Sequence, residues 1–466
     1  MTNLIQAGLL PLFAGLYDQH DPADKDSYQP YIRDITRRFF ELGIDLLTAP
    51  VCLYEAQTRQ AVRRFEEQGV SAIVVLFLAY HPSLESAAVL AGTSLPLIML
   101  DTTECYDFGP QADPAMIMRC HGIHGLQDLC CVLQRLGKSY QVEAGHCERS
   151  DVLARTARDI QAARIAGSFR RSRVGLIGDP FTNMGDFALP FDQLEKLTGI
   201  QVVRLDQATA GELCLSIGPE QLGEQTANLL QHYLPGDDLA SEILPNATRT
   251  TLAIAEWIKQ ARLNAFSFNF LDFNRDLGLP AVPFVTACEM MAQGIGYAGE
   301  GDVLTAALTA ALLTVYPDST FTEMFCPDWQ GGTVFMSHMG EVNRRIIRQG
   351  RLVQKTVPYL PGHNQGVVAG ITGFYQGGRA ILVNLAPGRD DTFRLILAPC
   401  EIIEPADSDR FQMSVRGWRQ PQLPLADFLQ QYSRLGGTHH SCLCYGADIG
   451  VLKVFGDIMG WPVAIL

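Results

Sequence analysis

The chain has 466 residues, 47% of them hydrophobic and 18% charged, with a formal net charge of −14. That length exceeds one typical core and calls for two or three domains, and the composition excludes a disordered chain. The acidic balance excludes binding to a nucleic-acid backbone, which needs a broad basic face; the short run Arg170-Arg171-Ser172-Arg173 reads as a solvated lead into a strand.

The first ten residues carry no positive n-region and no small-residue cleavage site, so no secretory leader is expected and the cytoplasm is the expected compartment. Residues 4–13 form an apolar opening strand, and residues 31–42 have helical spacing through Ile32, Ile35, Phe39 and Leu42. Strands at 46–49, 72–77 and 97–100 alternate with helices at 58–68 and around 86–91. Such alternation with near-continuous apolar strands predicts a parallel sheet covered on both faces. A boundary falls within residues 151–172, and a second α/β unit follows. Its strands are predicted at 174–177, 201–205 and 265–270, and its helices at 191–198, 219–231 and 248–262.

The last third changes character. Residues 332–337, 365–375, 379–385 and 392–403 are β-rich and broken by turns, which predicts antiparallel pairing in a sandwich or barrel. A helix at 449–459 and a strand at 462–466 close the chain. The longest apolar runs, residues 72–80 and 306–315, are too short to span a bilayer, so no membrane partner is expected. The 12 cysteines are scattered without small-domain spacing, which predicts reduced thiols rather than a disulfide framework.

Four residues stand out for chemistry. Glu300 lies between two glycines in Gly299-Glu300-Gly301-Asp302, and Asp302 is a fitting N-cap for the apolar helix that follows. Glu323 interrupts the apolar run Phe321-Thr322-Glu323-Met324-Phe325, where a buried carboxylate needs a partner or a metal. His338 follows a strand, and His439-His440 reads as a loop doublet of which at most one ring ligates. Taken singly, each has a commoner structural state: a solvated loop Glu, a surface-facing strand Glu, a hydrogen-bonded His. Two carboxylates and two imidazoles around one divalent cation would combine metal binding with acid–base work.

Together these motifs resemble the L-arabinose isomerase and L-fucose isomerase-like proteins. The resemblance rests on Gly-Glu-Gly-Asp, the Glu 23 residues after Glu300, Ser337-His338-Met339 and Gly436-Gly437-Thr438-His439-His440. It implies that Glu300, Glu323, His338 and His440 hold a divalent metal, Mn²⁺ first, with Mg²⁺ or Co²⁺ as alternatives. It further implies that Glu300 and Glu323 are catalytic in interconverting an aldose and a ketose through a cis-enediol. His121-Gly122-Ile123-His124-Gly125 and Gly145-His146 look like the family's His-Gly and Gly-His-Trp pair, with Cys147 in place of the Trp. By that likeness His124 reaches a neighbouring subunit's site in a homotrimer or homohexamer, and Phe270 and Met184 line the sugar pocket. A zinc site at Cys120, His121, His124, Cys130 and Cys131 lacks standard ligand spacing.

The implied architecture is two open Rossmann-like α/β domains, residues 1–165 and 166–320, followed by a C-terminal antiparallel β-barrel domain, residues 321–466. The segment after the first strand, Phe13-Ala14-Gly15-Leu16-Tyr17-Asp18, departs from the L-arabinose isomerase pattern toward the L-fucose isomerase-like branch, with Tyr17 as its substrate-binding candidate. Arg344 and Arg345 follow the metal His, so the sugar stays open among a pentose, a deoxyhexose and a modified hexose, phosphorylated or sulfonated forms included. Two readings compete: a non-catalytic sugar-binding or sensor protein, and a metal-dependent hydrolase or lyase.

Overall fold

The computed structural model describes residues 4–237, 239–274, 276–357, 366–406 and 409–466. Residues 1–3 of the opening stretch and residue 365 of one expected strand lie outside the described residues. The chain divides into two compact units, Met1–Gly167 and Ser168–Leu466.

The first unit is built on five parallel strands: β1 (Ile5–Leu12), β2 (Ile44–Thr48), β3 (Ile73–Phe77), β4 (Leu97–Asp101) and β5 (Gln141–Ala144). Their order is β2-β1-β3-β4-β5, so the winding reverses direction beside β1. Every residue of β3 is buried, as a strand covered on both faces requires. Helices Gln29–Glu41, Glu55–Gln68 and Gly122–Arg135 supply the cover through Ile35, Phe39, Phe65, Leu129 and Leu133.

The long helix Val152–Arg170 carries Asp159, buried, with one carboxyl oxygen lacking a partner. Burial first and Glu143 second push this carboxyl up to about 7, against the pull of Arg155. Its unfolded value is near 3.8, so the folded state binds the extra proton between the two values and loses stability as pH rises through that window. Asp159→Asn is therefore expected to stabilise the protein by about 2–4 kcal/mol at pH 8 and by little at pH 4. Thermal melts at the two pH values check this, and equal effects at both would refute it.

In the second unit β6 (Arg173–Ile177), β7 (Gln201–Arg204), β9 (Ala265–Phe268) and β10 (Gly296–Gly299) form a parallel sheet of order β10-β9-β6-β7. The expected strand over 265–270 ends at Phe268 and gives way to a 3₁₀ turn, Phe270–Asn274. Asn269 causes the break: its side chain donates to Asp179 O (2.8 Å) and accepts from Leu271 N (3.0 Å).

The remaining strands are β8 (Leu234–Pro235), β11 (Ser319–Asp328), β12 (Thr333–Ser337), β13 (Ile347–Thr356), β14 (Val367–Tyr375), β15 (Gly378–Pro387), β16 (Phe393–Ile403), β17 (Val415–Pro421), β18 (His440–Tyr445) and β19 (Val463–Ile465). Six of them close into an antiparallel barrel in the order β16-β15-β18-β11-β12-β17, because β17 also pairs with β16. Of the barrel or sandwich, the barrel is what forms. The fold is thus α/β with two parallel sheets and a C-terminal antiparallel β-barrel.

Helix Val303–Leu313 joins sheet to barrel. All eleven of its residues are buried, the signature of a helix apolar all round. It packs on β9 and β10 on one side and on β11 and β18 on the other, so its N-terminus is fixed where sheet and barrel meet.

Three expectations need correction. Cys105 and Cys120 are joined as a disulfide rather than reduced; the segments before and after the loop at 106–119 bring their Cα atoms within 6.5 Å. The doublet His439-His440 is not wholly in a loop, since His440 opens β18. The helix expected over 248–262 begins earlier, at Ile243, because Pro245 falls in its first turn, where a proline is tolerated. Among the described residues no helix is long and apolar enough to cross a membrane.

Candidate metal centre

Glu300 adopts a left-handed backbone (φ 65°), as does Gly301 (φ 86°). Both flanking glycines are sterically required. A Cβ on Gly301 would meet Pro180 Cα at 2.5 Å, and one on Gly299 would meet His338 Cε1 at 2.8 Å. Phe181 N–H donates to Glu300 O (3.0 Å) and Gly301 N–H to Ser267 Oγ (3.0 Å), which holds the strained turn between sheet and helix. Gly299→Ala is expected to lower turnover by about 10–100-fold without unfolding the protein, because the methyl group displaces the His338 ring. Steady-state kinetics alongside a thermal melt check it; unchanged kcat would show that the ring has room to move.

The other groups come from the barrel. Glu323 sits in β11 opposite Ser337 of β12 and His440 of β18, so two antiparallel ladders fix it between both histidines. His338 Nε2 lies 3.1 Å and His440 Nε2 2.9 Å from the same oxygen, Glu323 Oε1. Glu300 Oε2 lies 3.6 Å from His440 Nε2 and 3.7 Å from His439 Nε2. One ligand atom each from Glu300, Glu323, His439 and His440 falls within 4.8 Å of all the others. The doublet therefore does not splay as its sequence suggests. Its rings are 4.2 Å apart, because His439 precedes the strand and is turned inward by Asp186 (Nδ1–Oδ2 2.6 Å).

Each imidazole has a carboxylate at its other nitrogen: Glu341 for His338 (2.7 Å), Asp302 for His440 (2.9 Å) and Asp186 for His439. Burial works hardest against charge on these rings, yet the flanking carboxylates win and raise all three, His439 to about 10. Burial likewise opposes ionisation of Glu323, but His338 and His440 together hold its carboxyl well below the usual range. Asp186, opposite His439, is drawn down to about 2.

Aromatic rings fix the walls. Phe321, fully buried and two residues before Glu323 on the same strand face, puts its ring 4.9 Å from both His338 and His440. Phe187 stacks on His440 at 5.1 Å. Glu300 Oε2 is buried with no hydrogen-bond partner, and buried His440 Nε2 makes no well-aligned hydrogen bond although Glu323 Oε1 is 2.9 Å away. Two carboxylates and buried imidazole nitrogens left over in this way fit a divalent cation of the Mn²⁺, Mg²⁺ or Co²⁺ kind.

Of the expected ligands, Glu300, Glu323 and His440 converge, the fourth place within 4.8 Å is taken by His439, and His338 stands outside that set, touching it through Glu323 Oε1 (3.1 Å). Asp186, Phe187, Phe321, Glu341 and Tyr297 were missed by sequence reasoning. The loop carrying Asp186 and Phe187 is singled out in the sequence only through Met184, and neither residue has a signal of its own, whereas the position of Phe321, two before Glu323 on a strand, is a readable signal. Phe270 is a buried ring packed on Phe181 (5.0 Å), and Met184 is half-buried in the loop that also carries Asp186. Tyr17 and His124 belong to the first unit, where Tyr17 Oη meets His121 Nε2 at 3.1 Å and the His121 and His124 rings are 5.8 Å apart. Arg344 pairs with Glu289 (3.0 Å) and Arg345 with Asp318 (2.7 Å), so both have carboxylate partners of their own.

A family model described as the L-arabinose isomerase central domain matches residues 224–316, and one described as the L-arabinose isomerase C-terminal domain matches residues 318–462. The chain belongs to the L-arabinose isomerase-like family. The enzyme class that goes with these matches is aldose–ketose isomerase. The L-arabinose isomerase of Anoxybacillus flavithermus is 25% identical over 362 residues, 74% of this chain and 69% of that protein. That of Erwinia tasmaniensis is 25% identical over 363 residues, 74% of this chain and 70% of that protein. Among solved structures, a periplasmic sugar-binding protein from Legionella pneumophila is 10% identical, spans 67% of this chain and 94% of its own, and has a TM-score of 0.17.

Proposed function

We propose that this enzyme interconverts an aldose and a ketose, a pentose, deoxyhexose or modified hexose, at a divalent cation held by Glu300, Glu323, His338 and His440. The observation that carries the reading is the meeting of two imidazole nitrogens on one oxygen of Glu323, beside the partnerless Glu300 Oε2. The cation, Mn²⁺ first, supplies positive charge that stabilises negative charge developing on the sugar oxygens.

The chain's own groups handle the protons. Glu323 takes the proton from C2 and returns it to C1, and the proton count closes as a cis-enediol forms and collapses. Glu300, held near His439 and His440, moves the matching proton from O2 to O1. Phe187 and Phe321 wall the rings and keep water away from the carbon that transiently carries charge. His338 and His440 keep Glu323 ionised at neutral pH, the form a base must have, while lowering its affinity for the proton it takes.

We further propose the three-domain division at residues 165 and 320, with Met184 and Phe270 toward the sugar, and Tyr17 and His124 toward the site of a neighbouring subunit in a homotrimer or homohexamer. Light scattering of the active species tests the assembly; a monomer with full activity would refute the role of His124.

The functional test incubates metal-stripped protein in D₂O with a pentose and deoxyhexose panel, adding back Mn²⁺, Mg²⁺ or Co²⁺ singly. Isomerisation with deuterium entering the product carbon is expected only with cation present. Binding without turnover would favour a sugar-binding protein, and bond cleavage a lyase or hydrolase.

A further inference from the structure

We propose that Asp302 is a positioning residue that sets the proton on His440, and that it does so with the same carboxylate that starts a helix. This rests on the metal reading above and adds to it which proton arrangement makes the site competent.

Asp302 is fully buried. Its Oδ1 accepts from Thr305 N–H (2.9 Å) and caps helix Val303–Leu313, while its Oδ2 meets His440 Nδ1 at 2.9 Å. Carboxylates face both ring nitrogens, Asp302 Oδ2 at Nδ1 and Glu323 Oε1 at Nε2 (2.9 Å each), so the metal-free ring can hold a proton at either end. Ligation needs the Nε2 lone pair, and Asp302, which only accepts, is the group that keeps the remaining proton on Nδ1. The helix itself cannot shift, since it is buried on every residue between the sheet and the barrel. Sheet–barrel packing is thereby transmitted through one side chain to the orientation of one imidazole. Such outer partners commonly govern metal affinity.

Glu341 offers an internal comparison. It too is fully buried, with Oε2 on His338 Nδ1 (2.7 Å) and Oε1 accepting from Tyr297 Oη (2.7 Å). The two carboxylates carry the same charge and differ in their second partner. Thr305 N–H can only donate, whereas the Tyr297 hydroxyl can turn and accept.

That difference makes the proposal testable. In Asp302→Asn the amide oxygen must stay on Thr305 N–H, since asparagine is an ordinary N-cap, and the NH₂ then faces His440 Nδ1. The ring is forced to carry its proton on Nε2, where it blocks ligation. In Glu341→Gln the NH₂ can donate to Tyr297 Oη while the oxygen keeps His338 in place. Both variants lose one negative charge, but only the first reverses a ring.

The experiment titrates metal-stripped wild type, Asp302→Asn and Glu341→Gln with MnCl₂ alone, reading free Mn²⁺ by electron paramagnetic resonance, with a melt of each metal-free protein. The expected result is an affinity about 10–100-fold weaker in Asp302→Asn, at most about threefold weaker in Glu341→Gln, and an unchanged metal-free melt for Asp302→Asn. Equal losses in both variants would show that charge, not proton position, matters and would overturn the proposal. Wild-type-like affinity in Asp302→Asn would overturn it too. Wild type that binds no Mn²⁺ would instead bring down the metal reading on which it rests. Should Asp302→Asn not fold, Asp302→Ser, which keeps a capping oxygen and deletes the Nδ1 partner, is read against the same control; there too an affinity about 10-fold weaker supports the proposal and an unchanged one overturns it.

Discussion

Glu323→Gln is expected to lower kcat by about 1,000-fold and, by removing a buried charge that two imidazoles favour, to lower the melting temperature of the metal-free protein at neutral pH without unfolding it. Glutamine matches glutamate in shape, and the β11 ladders to β12 and β18 hold the backbone whatever the side chain carries. What disappears is the negative charge that faces both His338 Nε2 and His440 Nε2, and with it the base assigned to the C2 proton. Turnover at saturating Mn²⁺, together with deuterium wash-in at the substrate carbon, separates the two losses. Isomerisation lost with wash-in retained would move the C–H base to Glu300 and leave Glu323 a ligand only. The fold answers differently to acid. Since the folded state holds Glu323 below its unfolded proton affinity, the pair contributes stability above the ordinary carboxylate range and loses it as pH falls below that range.

The residues that sequence made legible are those whose spacing is set by single elements. Glu300 is marked by glycines that are needed because Pro180 and His338 approach to 2.5 and 2.8 Å of where a Cβ would stand, inside van der Waals contact. The alternation of buried strands and helices in the first unit is equally plain, because β3 and β4 are apolar along almost their whole length. Other elements hide. β17 carries two buried arginines, Arg416 and Arg419, and β18 opens on a histidine, so neither reads as a run of strand-forming apolar residues. The inward turn of His439 was illegible for another reason. It depends on Asp186, 253 positions away in sequence, and a pair that distant leaves no periodic trace. Expecting adjacent side chains to diverge is sound within a strand, but His439 stands one residue outside it.

Phe321→Ala is expected to destabilise the protein by about 3–5 kcal/mol and to weaken Mn²⁺ binding at the same time. Phe321 is fully buried among Tyr297, His338 and His440, with ring centroids 5.5, 4.9 and 4.9 Å away. Truncation removes the ring that both imidazoles touch edge-on, and rigid β11, β18 and β10 around it leave little scope for collapse. The carboxylates at the Nδ1 atoms would still restrain each ring at one end, but the Nε2 ends would be free to swing. Phe321→Leu, which refills most of the volume without the flat face, separates the two effects. Its melt is expected to recover more than half of the loss, while Mn²⁺ affinity stays below wild type. If affinity recovers together with stability, volume alone holds the rings; if affinity lags, the aromatic edge contributes to aiming them. Denaturant unfolding of metal-free protein and Mn²⁺ titration of the same samples decide between these outcomes.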